Sequence, residues 1–480
     1  MRRKALFFLL LTTGAIPASS QQPLNCGELF GWISSGISGH SLSVLVAARG
    51  IAFSPDQASD NALLAAGASP EFVLSLHAAA SSGRLANCPA EVTRAATLIQ
   101  QKQYPEARAV LRELIAADPK NASLHFALGS VFQQEANRED AFEEYFEALD
   151  LMPSSSEIHA RLAYLFYRDN DGDDAIAEAR TALSIDPDNA EAHRYLGLGL
   201  YTNGQDSAAL HAFDESLIRE PDNAESYYYE GLILHDRGDL RASATSFRKA
   251  IAINPHFWEA YNSLGMAFHD MGNLTGAIAA YREALRLNPD EATLRYNLGN
   301  AYCDQGDYDA AIAELHQLFR ANPEWQQGHS CLAKALMAKR EYEAAIVELR
   351  EAILQDPLSS IEHRVLGQAL LLVKQPEEAL HELRVAVELN PDSALSHHYL
   401  GTALFTRQDF KAAETEFRQA LHLEPTANNH YYLAACLISM NRLDDALTEL
   451  DTAERLEPAE ILYHSRKEEL LKLIRASSVR

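Results

Sequence analysis

The chain has 480 residues, too many for one compact core, so several domains or a repeating array are expected. An apolar share of 47% is ample for folding, while 41 Lys and Arg against 67 Asp and Glu leave a net charge of −26. Like charge repels phosphate backbones and anionic headgroups, so neither nucleic acid nor an acidic lipid surface is expected as the main partner.

Residues 1–20 read as an address. Arg2, Arg3 and Lys4 precede an apolar run from Ala5 to Ile16, and Ala18 and Ser20 put small residues before a cut at Gln21. That is the layout of a secretory signal peptide. The run is shorter than the roughly 18 apolar residues that cross a bilayer, so no membrane span is expected after cleavage. Cys26 follows closely, but Pro23-Leu24-Asn25 lacks the small residue that precedes a lipidated cysteine. The expected location is periplasmic or extracellular.

Residues 21–87 form the next segment. Leu29–Ile33, Leu42–Val46, Ala62–Ala65 and Phe72–Leu76 are apolar stretches of helical length. Ser54-Pro55 and Ser69-Pro70 each suit an N-cap followed by proline at the first helical position. A small module of about four short helices is predicted. Its strings Arg49-Gly50-Ile51-Ala52-Phe53 and Ala66-Gly67-Ala68-Ser69-Pro70-Glu71 resemble a helical module that stands ahead of repeats in bacterial exported proteins; that likeness implies no activity. Cys26 and Cys88 bracket the segment. In an exported chain they are candidates for a disulfide worth about 2–4 kcal/mol, the alternative being two free thiols.

From residue 88 to residue 460 the chain repeats. Prolines fall at Pro119, Pro153, Pro187, Pro221, Pro255, Pro289, Pro323, Pro357, Pro391 and Pro425, each step being 34 residues, and Pro458 follows. Aligned on them, Tyr261, Leu264, Gly265, Phe268, Ala277, Tyr281 and Ala284 recur as Leu298, Gly299, Tyr302 and Ala311, and later as Leu400, Gly401, Ala413, Phe417 and Ala420. The apolar spacing within a block is helical. Gly or Ala at the eighth position and Ala at the twentieth let two helices approach closely. Gly204, Gly238, Gly272 and Gly306, replaced by Asn170 and Asn441 elsewhere, suit a left-handed residue between the helices. Asp188 or Asn189, and Asp222 or Asn223, are placed to cap the next helix.

This pattern resembles the tetratricopeptide repeat, and is similar to the repeats of O-GlcNAc-transferase-like proteins without their catalytic domain. The resemblance implies an all-α fold: a right-handed α-solenoid of about eleven helix pairs. Ile461 to Ile474 reads as a capping helix at 461–480, with Leu462, Leu470, Leu471 and Ile474 inward and Arg466 to Glu469 in water.

Little suggests catalysis or a cofactor. No phosphate-binding glycine loop, His-Glu-x-x-His run or Gly-x-Ser-x-Gly elbow occurs. His125, His159, His193, His329, His363, His397 and His430 share the fourth block position, but such positions lie about 8–10 Å or more apart in stacked helices, too far for one ion. Tyr227 and Tyr261 fill the same slot, which favours packing. Cys303, Cys331 and Cys436 fall within first helices as small apolar residues, with no metal-like spacing.

In the family, first helices line a concave groove. Mapped here, its ligand-facing positions are Tyr164, Tyr167, Arg194, Tyr201, Tyr228, His235, Asn262 and His269, accompanied by acidic residues such as Glu191, Glu225, Asp236 and Asp304. An acidic groove with tyrosines suits other proteins or peptides carrying basic and apolar segments. The lysines of a chaperone-tail clamp are missing, with glutamates at the second positions Glu157, Glu191, Glu225 and Glu259. A non-catalytic scaffold is therefore expected, the alternative being an accessory subunit of an envelope enzyme, such as a glycosyltransferase, or of an assembly or secretion complex.

Overall fold

The computed structural model describes residues 23–37, 39–53, 55–79 and 90–478. The signal-peptide assignment at 1–20 and the Cys88 half of the proposed disulfide lie outside them. The described residues form 27 helices and one isolated bridge between Leu24 and Ile51. They divide into two compact units at Arg237 and Gly238.

The first unit opens with α1 (Cys26–Ser34), α2 (Gly39–Arg49), α3 (Gln57–Ala65) and α4 (Pro70–Leu76). Helix pairs follow: α5 (Ala90–Gln100) with α6 (Tyr104–Ala117), and α7 (Ala122–Gln134) with α8 (Arg138–Leu151). Next come α9 (Ser156–Arg168) with α10 (Gly172–Ile185), then α11 (Ala190–Thr202) with α12 (Asp206–Arg219). Helix α13 (Ala224–Asp236) ends the unit.

The second unit begins with α14 (Leu240–Ile253), then pairs α15 (Trp258–Asp270) with α16 (Leu274–Leu287) and α17 (Ala292–Gln305) with α18 (Tyr308–Ala321). It continues through α19 (His329–Ala338) with α20 (Tyr342–Gln355), and α21 (Ser360–Leu372) with α22 (Pro376–Leu389). Helices α23 (Ala394–Thr406), α24 (Phe410–Leu423), α25 (Ala427–Ser439) and α26 (Leu443–Leu456) precede the final α27 (Ile461–Ser478). Each unit is a stack of consecutive helix pairs, the α-solenoid arrangement.

Local chemistry sets the pairs. A left-handed residue recurs at Lys102, Ala136, Asn170, Gly204, Gly238, Gly272, Gly306, Arg340, Lys374 and Gln408, then at Asn441. This residue turns the chain between the two helices of each pair whatever its side chain. Asn189 and Asn223, rather than the neighbouring aspartates, are the caps: their side chains accept from the backbone N–H groups of Ala192 and Ser226, both at 2.9 Å. Close approach comes from the eighth position. A Cβ built on Gly265 would stand 2.5 Å from Tyr281 Cε1, and one on Gly401 would stand 2.8 Å from Phe417 Cε1. Ala141, Ala175, Ala209, Ala277, Ala311, Ala345, Ala379 and Ala413 are fully buried on the facing helices.

All four helices of the N-terminal segment form. Helix α1 is closed by a capping box in which the Asn25 side chain accepts from Glu28 N–H and Glu28 accepts from Asn25 N–H. Ser69 caps α4 as expected, accepting from Phe72 N–H at 3.2 Å. Helix α3 departs from the expectation. Ser54 lies outside the described residues, and the helix starts at Gln57 because the Asp56 side chain accepts from Ser59 N–H at 2.7 Å and the Ser59 hydroxyl accepts from Asp56 N–H at 2.8 Å. The segment shares one core with the first repeats, running from Leu24 and Trp32 through Phe126 and Tyr145 to Leu165. Trp32 packs on Phe126 with ring centres 4.7 Å apart.

The last helix also needs one correction. Leu470 is buried and Ile474 packs beside it, as expected, but Leu462 is 50% exposed and Tyr463 takes the inward place. Tyr463, Leu470 and Ile474 share one helical face at spacings of seven and four, while Leu462 falls off it. Lys467 pairs with Asp451 and Glu454 of α26, both at 2.7 Å, instead of facing water.

Candidate functional site

Six of the eight expected groove residues belong to the first unit. Tyr164 and Tyr167 stand on α9, Arg194 and Tyr201 on α11, Tyr228 and His235 on α13. The tyrosines gather around a residue the motif mapping passed over, Tyr229. Its hydroxyl is 2.8 Å from that of Tyr167, and its ring meets those of Tyr201 and Tyr228 at 6.0 and 5.3 Å. Tyr229 also stacks on Phe213 at 5.9 Å. Burial, reinforced by the Tyr167 hydroxyl, raises the Tyr229 phenol far above its ordinary value, so it stays neutral. Tyr164 packs on Tyr195 at 5.2 Å and accepts from the Arg168 guanidinium at 2.8 Å.

Arg194 is committed internally. It pairs with Glu191 at 3.6 Å and Glu225 at 3.3 Å, and donates to the Tyr195 hydroxyl at 3.1 Å. Arg161 joins the same network through Glu191 at 3.2 Å and also donates to the Ser35 carbonyl at 3.1 Å, tying α9 to the end of α1. Both guanidiniums are buried, which works against their charge, yet Tyr195 and the surrounding carboxylates keep them firmly protonated. His235 lies 3.9 Å from Asp236.

Asn262 and His269 belong to the second unit, on α15. Asn262 accepts from Asn297 at 2.9 Å, and His269 sits 3.1 Å from an Asp304 carboxylate oxygen. His269 also reaches a concavity of this unit, a cleft of about 670 Å³ lined by α15, α17, α19, α20 and α21. Asn300, Asp304, Lys334, Glu362 and Arg364 supply its polar rim, and Met337, Val365 and Leu372 its apolar wall. Leu372 is 48% exposed and Ile361 60% exposed, so the wall meets solvent. Lys334 is 3.4 Å from Asp304. Of its α17, α19 and α21 residues the motif positions pick out few, Asp304 among them, because the cleft is shaped by four successive repeats rather than by any one.

The histidines of the fourth position have a structural partner. His125, His159, His329, His363, His397 and His430 each place Nδ1 2.5–2.7 Å from a glutamate 19 residues downstream, on the second helix of the same pair. In His125, His159, His363 and His397 the other ring nitrogen reaches the carbonyl of the preceding block's proline, at 2.9–3.3 Å. Arg295 makes the equivalent pair with Glu314 at 3.1 Å. His193 has Ala212 at that spacing and keeps only the proline carbonyl, at 2.9 Å. Among the described residues no group of three or more His, Cys, Asp or Glu could hold a metal, and no helix is long and apolar enough to cross a membrane.

Comparison with known proteins agrees with the repeat. Family profiles described as "TPR repeat" match residues 96–135, 231–272 and 265–302. Others described as "Tetratricopeptide repeat" match 160–224, 296–327, 332–394 and 404–470. No curated protein matches the chain. Solved structures with a similar fold include PilW, a type IV pilus biogenesis factor, at 19% identity and TM-score 0.41, over 45% of this chain and 98% of that one. PilF of Pseudomonas aeruginosa is similar at 21% identity and TM-score 0.40, over 46% and 97%. The Cut9 and Hcn1 hetero-tetramer of the APC/C is similar at 15% and 0.40, over 80% and 84%.

Proposed function

The chain belongs to the tetratricopeptide-repeat family, and from that premise we propose that it is a non-catalytic scaffold that binds proteins or peptides through the faces made by its first helices. One observation carries the reading: the second unit has a cleft of about 670 Å³ with an apolar wall and a charged rim. Apolar surface left open beside fixed polar groups is what an extended or helical peptide segment can cover with gain. The tyrosine cluster of the first unit offers a second patch of rigid, half-buried rings. The net charge of −26 favours partners with basic residues beside their apolar ones.

The residues at 1–20 support export to the cell envelope or beyond, and N-terminal sequencing of the mature protein beginning at Gln21 is the expected result. An oxidising compartment in turn favours a Cys26–Cys88 bridge; free thiols at both positions in non-reducing mass spectrometry would end that idea.

Binding is tested by capture from the exported fraction with the full chain. Ile361→Glu with Leu372→Glu should lose partners that wild type retains, and Tyr167→Ala with Tyr228→Ala reports on the other patch. Leu354→Glu, on an exposed second-helix position, should change nothing. Partner sets identical across all variants would reject both faces.

A further inference from the structure

Helix α27 leaves a row of apolar and charged side chains in solvent. Its inward face is assigned: Tyr463 and Leu470 are buried, and Ile474 packs into the same core as Leu470. One flank of that face is engaged as well. His464 Nδ1 lies 2.7 Å from a Glu454 carboxylate oxygen, and Lys467 pairs with Asp451 and Glu454. The opposite flank carries Leu462, Arg466, Glu469 and Leu473, whose spacings of four, three and four put them in one stripe along the helix. Leu462 and Leu473 are each 50% exposed, and Ile461, beside the start of the stripe, is 79% exposed. Among the described residues the charges of the stripe meet only each other, Arg466 donating to Glu469 at 2.9 Å with both side chains well exposed.

The order of the stripe makes it complementary to itself. Two copies of α27 laid antiparallel, with a two-fold axis at the midpoint of Lys467 and Glu468, set Leu462 against Leu473 of the second copy. The same register sets Arg466 against Glu469 of the second copy, and the axis repeats both contacts. A parallel pair would instead set arginine against arginine and glutamate against glutamate. Charge therefore selects the antiparallel arrangement.

We propose that two copies of this chain associate through α27, as an antiparallel pair of helices whose seam is Leu462, Arg466, Glu469 and Leu473. The leucines supply the attraction, because apolar surface now in water is covered at both ends of the seam. Exposed ion pairs add little energy, so Arg466 and Glu469 set direction and register instead. One helix against another is a small interface of the transient class. Single chains therefore prevail in dilute solution, and pairs form as the concentration rises.

Sedimentation equilibrium of the folded full chain over a wide concentration range tests the pairing. Wild type should pass from monomer to dimer, and Leu462→Glu with Leu473→Glu should weaken the dimer at least about tenfold. Arg466→Glu puts four carboxylates on the seam and Glu469→Arg puts four guanidiniums there, so each variant alone should also pair at least about tenfold more weakly. Mixed in equal amounts, those two variants restore opposite charges at every crossing and should regain the wild-type dimer. That recovery cannot come from a variant that has lost its fold, and circular dichroism checks each one. A wild type that stays monomeric throughout, a dimer untouched by the leucine changes, or no gain on mixing would overturn the proposal.

Discussion

His193 lacks the carboxylate that His125 has 19 residues downstream, and the two respond to pH with opposite sign. Glu144 bonds to His125 and raises it above the ordinary 6.5, whereas burial lowers His193. A raised histidine adds stability that is complete below pH 6.5 and is lost as pH rises through its folded value. A lowered one works oppositely: its protonation on acidification favours the unfolded chain. Titration followed by NMR should place His125 above 6.5 and His193 below it. Ala212→Glu, which restores the partner at the 19-residue spacing, should move His193 upward; no movement would mean that the spacing alone does not make the pair.

Glycines at two block positions serve different ends, and alanine separates them. At Gly265 a methyl would meet the Tyr281 ring at 2.5 Å, so Gly265→Ala should cost about 1–3 kcal/mol in urea unfolding. At Gly204 a methyl meets nothing within 4 Å, and only the φ of +68° resists, so Gly204→Ala should cost about 1 kcal/mol. Equal or reversed losses would contradict the packing assignment.

At the scale of helices, the sequence pattern was a sound guide wherever the reason was local. The turns at Asn170, Gly204, Gly238, Gly272, Gly306 and Asn441, the Ser69 cap and the inward Leu470 all follow from residues a few places apart, whereas Lys102, Ala136, Arg340, Lys374 and Gln408 take the same left-handed turn without glycine or asparagine. It failed where two local signals competed. Asp56 with Ser59 outbids Ser54-Pro55 as the start of α3, and Tyr463 displaces Leu462 because the helix face is fixed by contacts with α26. The histidine partners lie 19 residues away, beyond the reach of a single-helix reading, although the recurring glutamate was there to be counted. The cap makes a quantitative statement: Leu470→Ala should cost about 2–5 kcal/mol, while Leu462→Ala should stay within about 0.5 kcal/mol. A large loss at Leu462 would return the helix to the register expected from its leucines.

For the molecule as a whole, the period of the prolines made the solenoid legible, because each repeat needs only its neighbours to bury its apolar stripe. The candidate site was less legible. Its tyrosines turn on Tyr229, and its cleft on side chains from α15 to α21, so both depend on several repeats at once. Nor did the pattern show that the N-terminal helices share a core with the first repeats. The central claim is that the cleft of the second unit receives a protein segment. Photocrosslinking tests it most directly, with a benzophenone side chain placed at Gln368 on the cleft or at exposed Leu354 outside it. Discrete protein adducts from position 368 and none from 354 are the predicted result; the same adducts from both, or from 354 alone, would contradict it.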